Sequence, residues 1–344
     1  MKKLFAIVLC LCTLLTVFVA CGEKEADYKL GMGVVVSMDS SATGNAQVDA
    51  TVATVVTDAE GKIVACRIDV AQNKMNVTNG AVEATKTFKT KMELGTEYGM
   101  AGKVDNDDNG VMKEWDEQTK AFESYVVGKT VAEVEAIQTQ EKKGHKIAVD
   151  QALLDAGCSM QITDFIAAVA KACKDEQGMA FKAVEGTFTL GVAAKTTVDA
   201  ATKAAAADAE GLAAMYTDFA AAVVAEGKIV AALNDAIQPK IAMNAAGEIT
   251  TKTFVDTKRV LKGDYGMAGK VDNNDDGVMK EWFEQSAAFS AHVVGMTAAE
   301  VEAMTTQAAK GHDISTDADL LAAGCSMQIT GIKAVVAQAA KNAH

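Results

Sequence analysis

Hydrophobic and polar positions along this 344-residue chain change period several times, and each change predicts an element. Gly33-Val34-Val35-Val36 and the near alternation from Val48 to Val56 read as strands. Asp58-Ala59-Glu60-Gly61-Lys62 is a turn signal, after which Ile63 to Ile68 returns as a second strand of a β-hairpin. Much further on, Phe219–Val224, the turn Ala225-Glu226-Gly227-Lys228 and Ile229–Leu233 repeat that order. Thr87-Phe88 and Thr253-Phe254 are expected as extended strands, followed by polar loops and helices around Trp115 and Trp282. A short Glu-rich helix, a turn and a closing helix complete each half. In the first closing helix Phe165, Ile166, Val169, Ala170 and Cys173 fall on one face, so that helix is expected to pack on the sheet. The Ala-rich stretch near 198–214 has high helical propensity and is expected as a helical insertion confined to the second half.

The pattern is duplicated. Tyr98–Gln118 and Tyr265–Gln285 differ at three positions, and Ala156–Thr163 is identical to Ala323–Thr330 as Ala-Gly-Cys-Ser-Met-Gln-Ile-Thr. A constant offset of 167 also joins His145 to His312. The expected organisation is a leader over 1–20, a tether over 21–27, and two α+β copies at 28–175 and 183–344. Each copy is a small sheet with helices. Composition adds that the core is built from small side chains: 49% of residues are hydrophobic, but only 5% are aromatic.

The net charge of −13 argues against a nucleic-acid partner and against adsorption on anionic lipid. The first residues carry an address. Met1-Lys2-Lys3 precedes an apolar run, Leu4 to Ala20, and Phe18-Val19-Ala20-Cys21 resembles a bacterial lipobox with Phe in the usual Leu position. Cys21 is thus the expected lipidation site, and the protein is expected on the extracytoplasmic face of the cell membrane, held by lipid alone. Of the remaining cysteines, Cys158 and Cys325 are equivalent while Cys66 and Cys173 have no counterpart, which favours free thiols over a shared disulfide framework.

Candidate chemistry gathers at three places. Gly157-Cys158-Ser159 and Gly324-Cys325-Ser326 precede the closing helices, where small residues and free helix amides allow a phosphate to approach; the alternative is a turn and helix cap. Tyr98, Met100 and Trp115, with Tyr265, Met267 and Trp282, offer aromatic faces and sulfur to a flat apolar ring, or else belong to the core. Between them run Asp105-Asn106-Asp107-Asp108-Asn109-Gly110 and Asp272-Asn273-Asn274-Asp275-Asp276-Gly277. Asp105, Asp107 and Asn109, and Asp272, Asn274 and Asp276, match the early ligand positions of an EF-hand calcium loop. Position twelve is Asp116 in one and Phe283 in the other, so the alternative is a solvated turn. His145 and His312 are expected to be exposed or satisfied. No Ser-His-Asp order, Walker loop, CxxC pair or HExxH is present, which removes hydrolase and kinase chemistry.

With these motifs in hand, the two halves resemble the FMN-binding domain family. The leader, the two copies, Tyr-Gly-Met and Lys-Glu-Trp-x-Glu-Gln resemble in particular the Gram-positive pheromone-type lipoproteins of flavin-based extracellular electron transfer. The resemblance implies FMN in each copy, bound either noncovalently or through a phosphoester that a flavin transferase makes on a motif ending in Gly-Ala-Thr. Ser159 and Ser326 match its last residue. Ala156 and Ala323 replace its hydroxyl residue, Cys replaces its Ala, and the acidic residues, Asp155 and Asp319, are oddly placed. It also implies a membrane quinol oxidoreductase as electron donor, and an electron-transfer protein rather than a turnover enzyme. The other class to weigh is a non-redox surface lipoprotein that binds calcium or a protein partner.

Overall fold

The computed structural model describes residues 25–84, 86–270 and 272–344. The leader, and with it the expected lipid site Cys21, lies outside the described residues.

The chain is mixed α and β with antiparallel sheets. In order it runs β1 (Glu25–Ser37), β2 (Asn45–Thr57), β3 (Ile63–Thr78), β4 (Ala81–Val82), α1 (Lys91–Leu94), α2 (Trp115–Val126) and α3 (Val131–Glu135). The hairpin β5 (Thr139–Lys142) and β6 (His145–Ala148) leads to α4 (Gln151–Asp155), α5 (Thr163–Cys173) and β7 (Met179–Val184). Then come β8 (Phe188–Val198), β9 (Gly211–Ala225), β10 (Lys228–Ile237), β11 (Lys240–Met243), β12 (Ile249–Thr253) and α6 (Lys258–Leu261). The chain ends with α7 (Trp282–His292), α8 (Ala298–Ala303), the hairpin β13 (Thr306–Ala309) and β14 (His312–Ser315), α9 (Ala318–Ala322) and α10 (Thr330–Lys341).

One sheet has the order β4-β3-β2-β1-β7; in the other β9 is central, with β8 on one edge and β10 then β11 on the other. Side chains alternate across each strand, so both faces of the central strands are used. Val48, Val52 and Val56 of β2 meet Phe219, Ala221 and Val223 of β9 in a core between the sheets. Ala53 and Val55 face the other way, toward Trp115, Phe122 and Phe165 on α2 and α5. Ala220 and Ala222 likewise face Trp282, Phe289 and Val335. The layers therefore run helices, sheet, sheet, helices. The closing helices lie almost on the strand backbone: a Cβ on Gly33 would stand 2.2 Å from the Ala168 carbonyl oxygen, and one on Gly191 1.9 Å from that of Ala339. That closeness accounts for a hydrophobic fraction rich in Ala and Val, and for Gly where helix meets strand.

Several expectations need correction. The 198–214 stretch is not helical. Val198 ends β8, Lys203 bridges to Leu212, Ala205 N donates to Gly80 O (2.8 Å), and Gly211 opens β9. Helix propensity is a weak prior that tertiary context overrides: Gly211–Ala214 enter β9, while the alanines from 200 to 209 lie in mostly exposed turns. Glu25–Asp27, within the expected tether, pair with Val184–Lys182 of β7 as part of β1. Residues 87–88 lie outside any strand, while Thr253 ends β12. The long β3 has a broken counterpart: β10 and β11 are separated at Gln238-Pro239, where the chain's one proline cannot donate to the ladder.

Candidate cofactor site

The serine turns are held by a polar clamp, and every contact recurs 167 residues later. Lys113 Nζ donates to Ala156 O and Lys280 Nζ to Ala323 O, both at 2.8 Å. Glu114 accepts from Met100 N (2.9 Å) and Ala101 N (3.1 Å), as Glu281 does from Met267 N (2.9 Å) and Ala268 N (3.0 Å). Gln118 Oε1 accepts from both Ser159 N and Met160 N at 3.0 Å; Gln285 Oε1 accepts from Ser326 N at 2.9 Å and Met327 N at 2.8 Å. Asn106 and Asn273 donate to the Ser159 and Ser326 carbonyls at 2.9 and 2.8 Å. The Lys-Glu-Trp-x-Glu-Gln motif is thus the device that joins the Tyr-Gly-Met segment to the serine turn.

This corrects the expected phosphate cradle. The amides at Ser159 and Ser326 are not free, because a buried Gln oxygen occupies them. Nor are the helix tips open to an anion. Asp164 stands in the first turn of α5, while at α10 the matching residue is Gly331, whose Cβ would lie 2.3 Å from Asp218 Oδ2. Asp218 comes from β9, where β2 carries Thr51. The carboxylate has moved from helix to strand, and each macrodipole is already met. Burial pushes the Asp218 carboxyl up to about 7, with the Lys258 ammonium pulling it down.

Within the two turns themselves, the serine hydroxyls are left unsatisfied, as are Asp107 Oδ1 and Asn274 Oδ1 in the acidic loops. Ser159 and Ser326 are each 1% exposed, and their Oγ atoms have no hydrogen-bond partner among the described residues. A buried unpaired hydroxyl costs about 1–3 kcal/mol, and it is kept twice. Gly157 and Gly324 take φ of +87° and +84° with lysine methylenes 2.7 Å from where a Cβ would stand, so the turn tolerates little else. Cys158 and Cys325 are buried and their thiols are pushed up to about 12 by that burial, which leaves them unreactive. Cys66 and Cys173 are also free.

Beside the second serine turn opens a cavity of about 800 Å³ lined by Tyr216, Lys258, Tyr265, Met267, Trp282 and Met327, with Asp218, Asn273 and His312 at its walls. Tyr265, Met267 and Trp282 are thus brought together, and Trp282 is at once core and wall. In the first half Trp115 is buried edge-on against Phe165, with Tyr98 and Met100 packed on the same cluster. His145 and His312 are exposed.

Lys258 and Lys91 carry a signal that motif reading missed. Lys258 is buried with Nζ 4.5 Å from the Tyr216 ring centre, 4.7 Å from Tyr265 and 5.5 Å from Trp282, and it donates to Tyr216 Oη at 3.1 Å. Burial holds its ammonium down to about 8, with Asp218 and Asp235 pulling upward. Lys91 stands over Tyr98 (4.8 Å) and Trp115 (5.4 Å). Each sits in a capped single turn pinned by a buried aspartate. Asp69 Oδ1 accepts from Met92 N (3.1 Å), and Asp235 Oδ1 accepts from Arg259 N (3.0 Å). Thr-Lys at 90–91 and 257–258, and one Asp in each apolar strand, were the available clues.

The acidic loops are organised around their own backbone. Asp105 accepts from Asn109 N and Gly110 N, Asn109 Oδ1 accepts from Val111 N, and Asp107 holds the Asn109 amide. Asp272 accepts from Asp276 N and Gly277 N, and Asn274 donates to Asp276. Lys143 and Lys310 pair with Asp108 and Asp275. Asp116 lies apart on α2, paired with Lys120 at 3.0 Å. Among the described residues no three His, Cys, Asp or Glu side chains converge as a metal-binding group.

Comparison of the chain with protein-family models, curated proteins and solved structures finds no match.

Proposed function

We propose that the chain is an extracytoplasmic, lipid-anchored flavoprotein electron carrier with two tandem FMN-binding-domain-like copies, each carrying FMN at its serine turn. The observation that supports this reading is an orphaned buried hydroxyl at Ser326 whose neighbour in the chain, Met327, lines a cavity walled by aromatic rings, Met sulfur and an ammonium. A hydroxyl that becomes a phosphoester no longer needs a hydrogen-bond acceptor, and a cavity near 800 Å³ lies within the range of cofactor sites. Ser326 and Ser159 would hold the phosphate; Tyr265, Met267, Trp282 and Lys258 would line the ring's place, as would Tyr98, Met100, Trp115 and Lys91 in the first copy. When bound, the flavin supplies the redox chemistry, and the protein supplies position and charge. The donor is a membrane quinol oxidoreductase, and the covalent form needs a flavin transferase. Because both hydroxyls are 1% exposed, esterification also requires the serine turn to open, whereas noncovalent binding does not.

The test is expression of the full chain with a flavin transferase, followed by a denaturing gel under ultraviolet light. A fluorescent band is expected, and it should vanish in the Ser159→Ala/Ser326→Ala double variant. Yellow native protein that loses its colour on denaturation would mean noncovalent FMN. A chain with no flavin absorbance at all would end this reading.

A further inference from the structure

We propose that Lys258, and Lys91 at the matching place, set the redox balance of the site by favouring the negatively charged reduced form of a bound flavin; the proposal rests on the flavin reading above. Lysine is rarely buried unless paired, yet Lys258 is 6% exposed and, among the described residues, no carboxylate comes within ion-pair distance of it. Of its three donors one is used, on Tyr216 Oη. It lies in the wall of the cavity, over three ring faces, which hold an ammonium in place without neutralising it. The arrangement is fixed by the fold. Thr257 caps the turn that carries the lysine, and buried Asp235 holds the next backbone amide; Thr90 and Asp69 do the same beside Lys91. Two copies that have exchanged carboxylate for Gly or Thr nearby have both kept the cation.

The physical consequence follows from charge. Reduction of the oxidised ring system by two electrons with uptake of one proton adds one negative charge, and the electrons come from a quinol in the proposed setting or from dithionite in the assay. A fixed cation in a low-dielectric cavity lowers the energy of the charged product relative to the neutral oxidised form. Asp218, facing the same cavity, opposes this and moderates it.

The experiment is a spectroelectrochemical titration of the flavin-loaded full chain, wild type against Lys258→Met, Lys91→Met and Lys258→Arg. Lys258→Met keeps length and apolar bulk and removes the charge. The expected result is a midpoint more negative by at least the equivalent of a tenfold loss in preference for the reduced form, about 30 mV for a two-electron couple, with Lys258→Arg near wild type. If Lys258→Met fails to load flavin while Lys258→Arg loads it, the charge is needed to bind the oxidised form, and the proposed preference for the reduced form is overturned. An unchanged midpoint in a loaded Lys258→Met protein overturns the lysine's role and leaves the flavin reading intact. Failure of both Met and Arg variants to load, with native circular dichroism, also overturns it, since shape and not charge is then required. A colourless wild type removes the flavin reading and this proposal together.

Discussion

Gln118 and Gln285 illustrate how a single residue redirects the chemistry of a turn. Each is fully buried, and each places one oxygen between two successive backbone amides that would otherwise be open to an anion. Replacing Gln118 by Leu keeps the volume but strands the Ser159 and Met160 amides in the interior. Each unsatisfied buried donor costs about 1–3 kcal/mol, so for the two amides a loss of roughly 2–6 kcal/mol is expected. Urea unfolding of Gln118→Leu would read it as a lower midpoint at unchanged slope. A change under 1 kcal/mol would mean that water satisfies those amides and that the clamp is weaker than its geometry.

At the scale of elements, the two halves solve the same helix-on-sheet contact with different chemistry. Between β3 and α2 the pair is Arg67 with Glu123, at 3.6 Å, and Glu123 also accepts from Ile68 N at 2.7 Å. Between β10 and α7, Ser290 stands where Glu123 does and is joined without charge, at 2.9 Å, to Asn234, which stands where Ile68 does. Removing one member of a buried ionic pair leaves the other uncompensated, while removing both does not. Arg67→Asn and Glu123→Ser are therefore each expected to destabilise more than half as much as their combination, with a coupling of about 1–3 kcal/mol in a double-mutant cycle. Strict additivity would show that the pair is screened.

For the whole molecule, the sandwich of two sheets between helix layers buries carboxyls that water would have kept ionised. Burial pushes Glu123 up to about 7, Asp69 to about 6 and Asp218 to about 7. An acid whose folded pKa is raised contributes stability that is complete below its unfolded pKa, near 4, and is lost as pH rises through the folded value. The chain is thus expected to be more stable at pH 5 than at pH 7.5, by up to roughly 3 kcal/mol for the largest single shift. The net charge of −13 acts in the same direction, since self-repulsion grows as carboxyls ionise. Denaturant midpoints at the two pH values check this; a higher midpoint at pH 7.5 would refute it.

Much of this was readable without coordinates because it is local or duplicated. The strands within 33–68 and 219–233, the Trp-bearing helices and the closing helices follow from short-range periodicity, and the 167-residue offset doubles every motif. Other features depend on which distant group reaches a given atom. Gln118 meets a turn 41 residues away, Asp218 reaches the tip of α10, β7 returns to β1, and Arg259 pairs with Asp175 across the two halves at 3.0 Å. The alanines near 198–214 make the same point. Their intrinsic preference is worth a few tenths of a kcal/mol each, less than the packing between sheet and helix that turns the end of that stretch into strand. Periodicity names the elements; long-range satisfaction of buried donors, acceptors and charges decides what each site has left to offer a ligand.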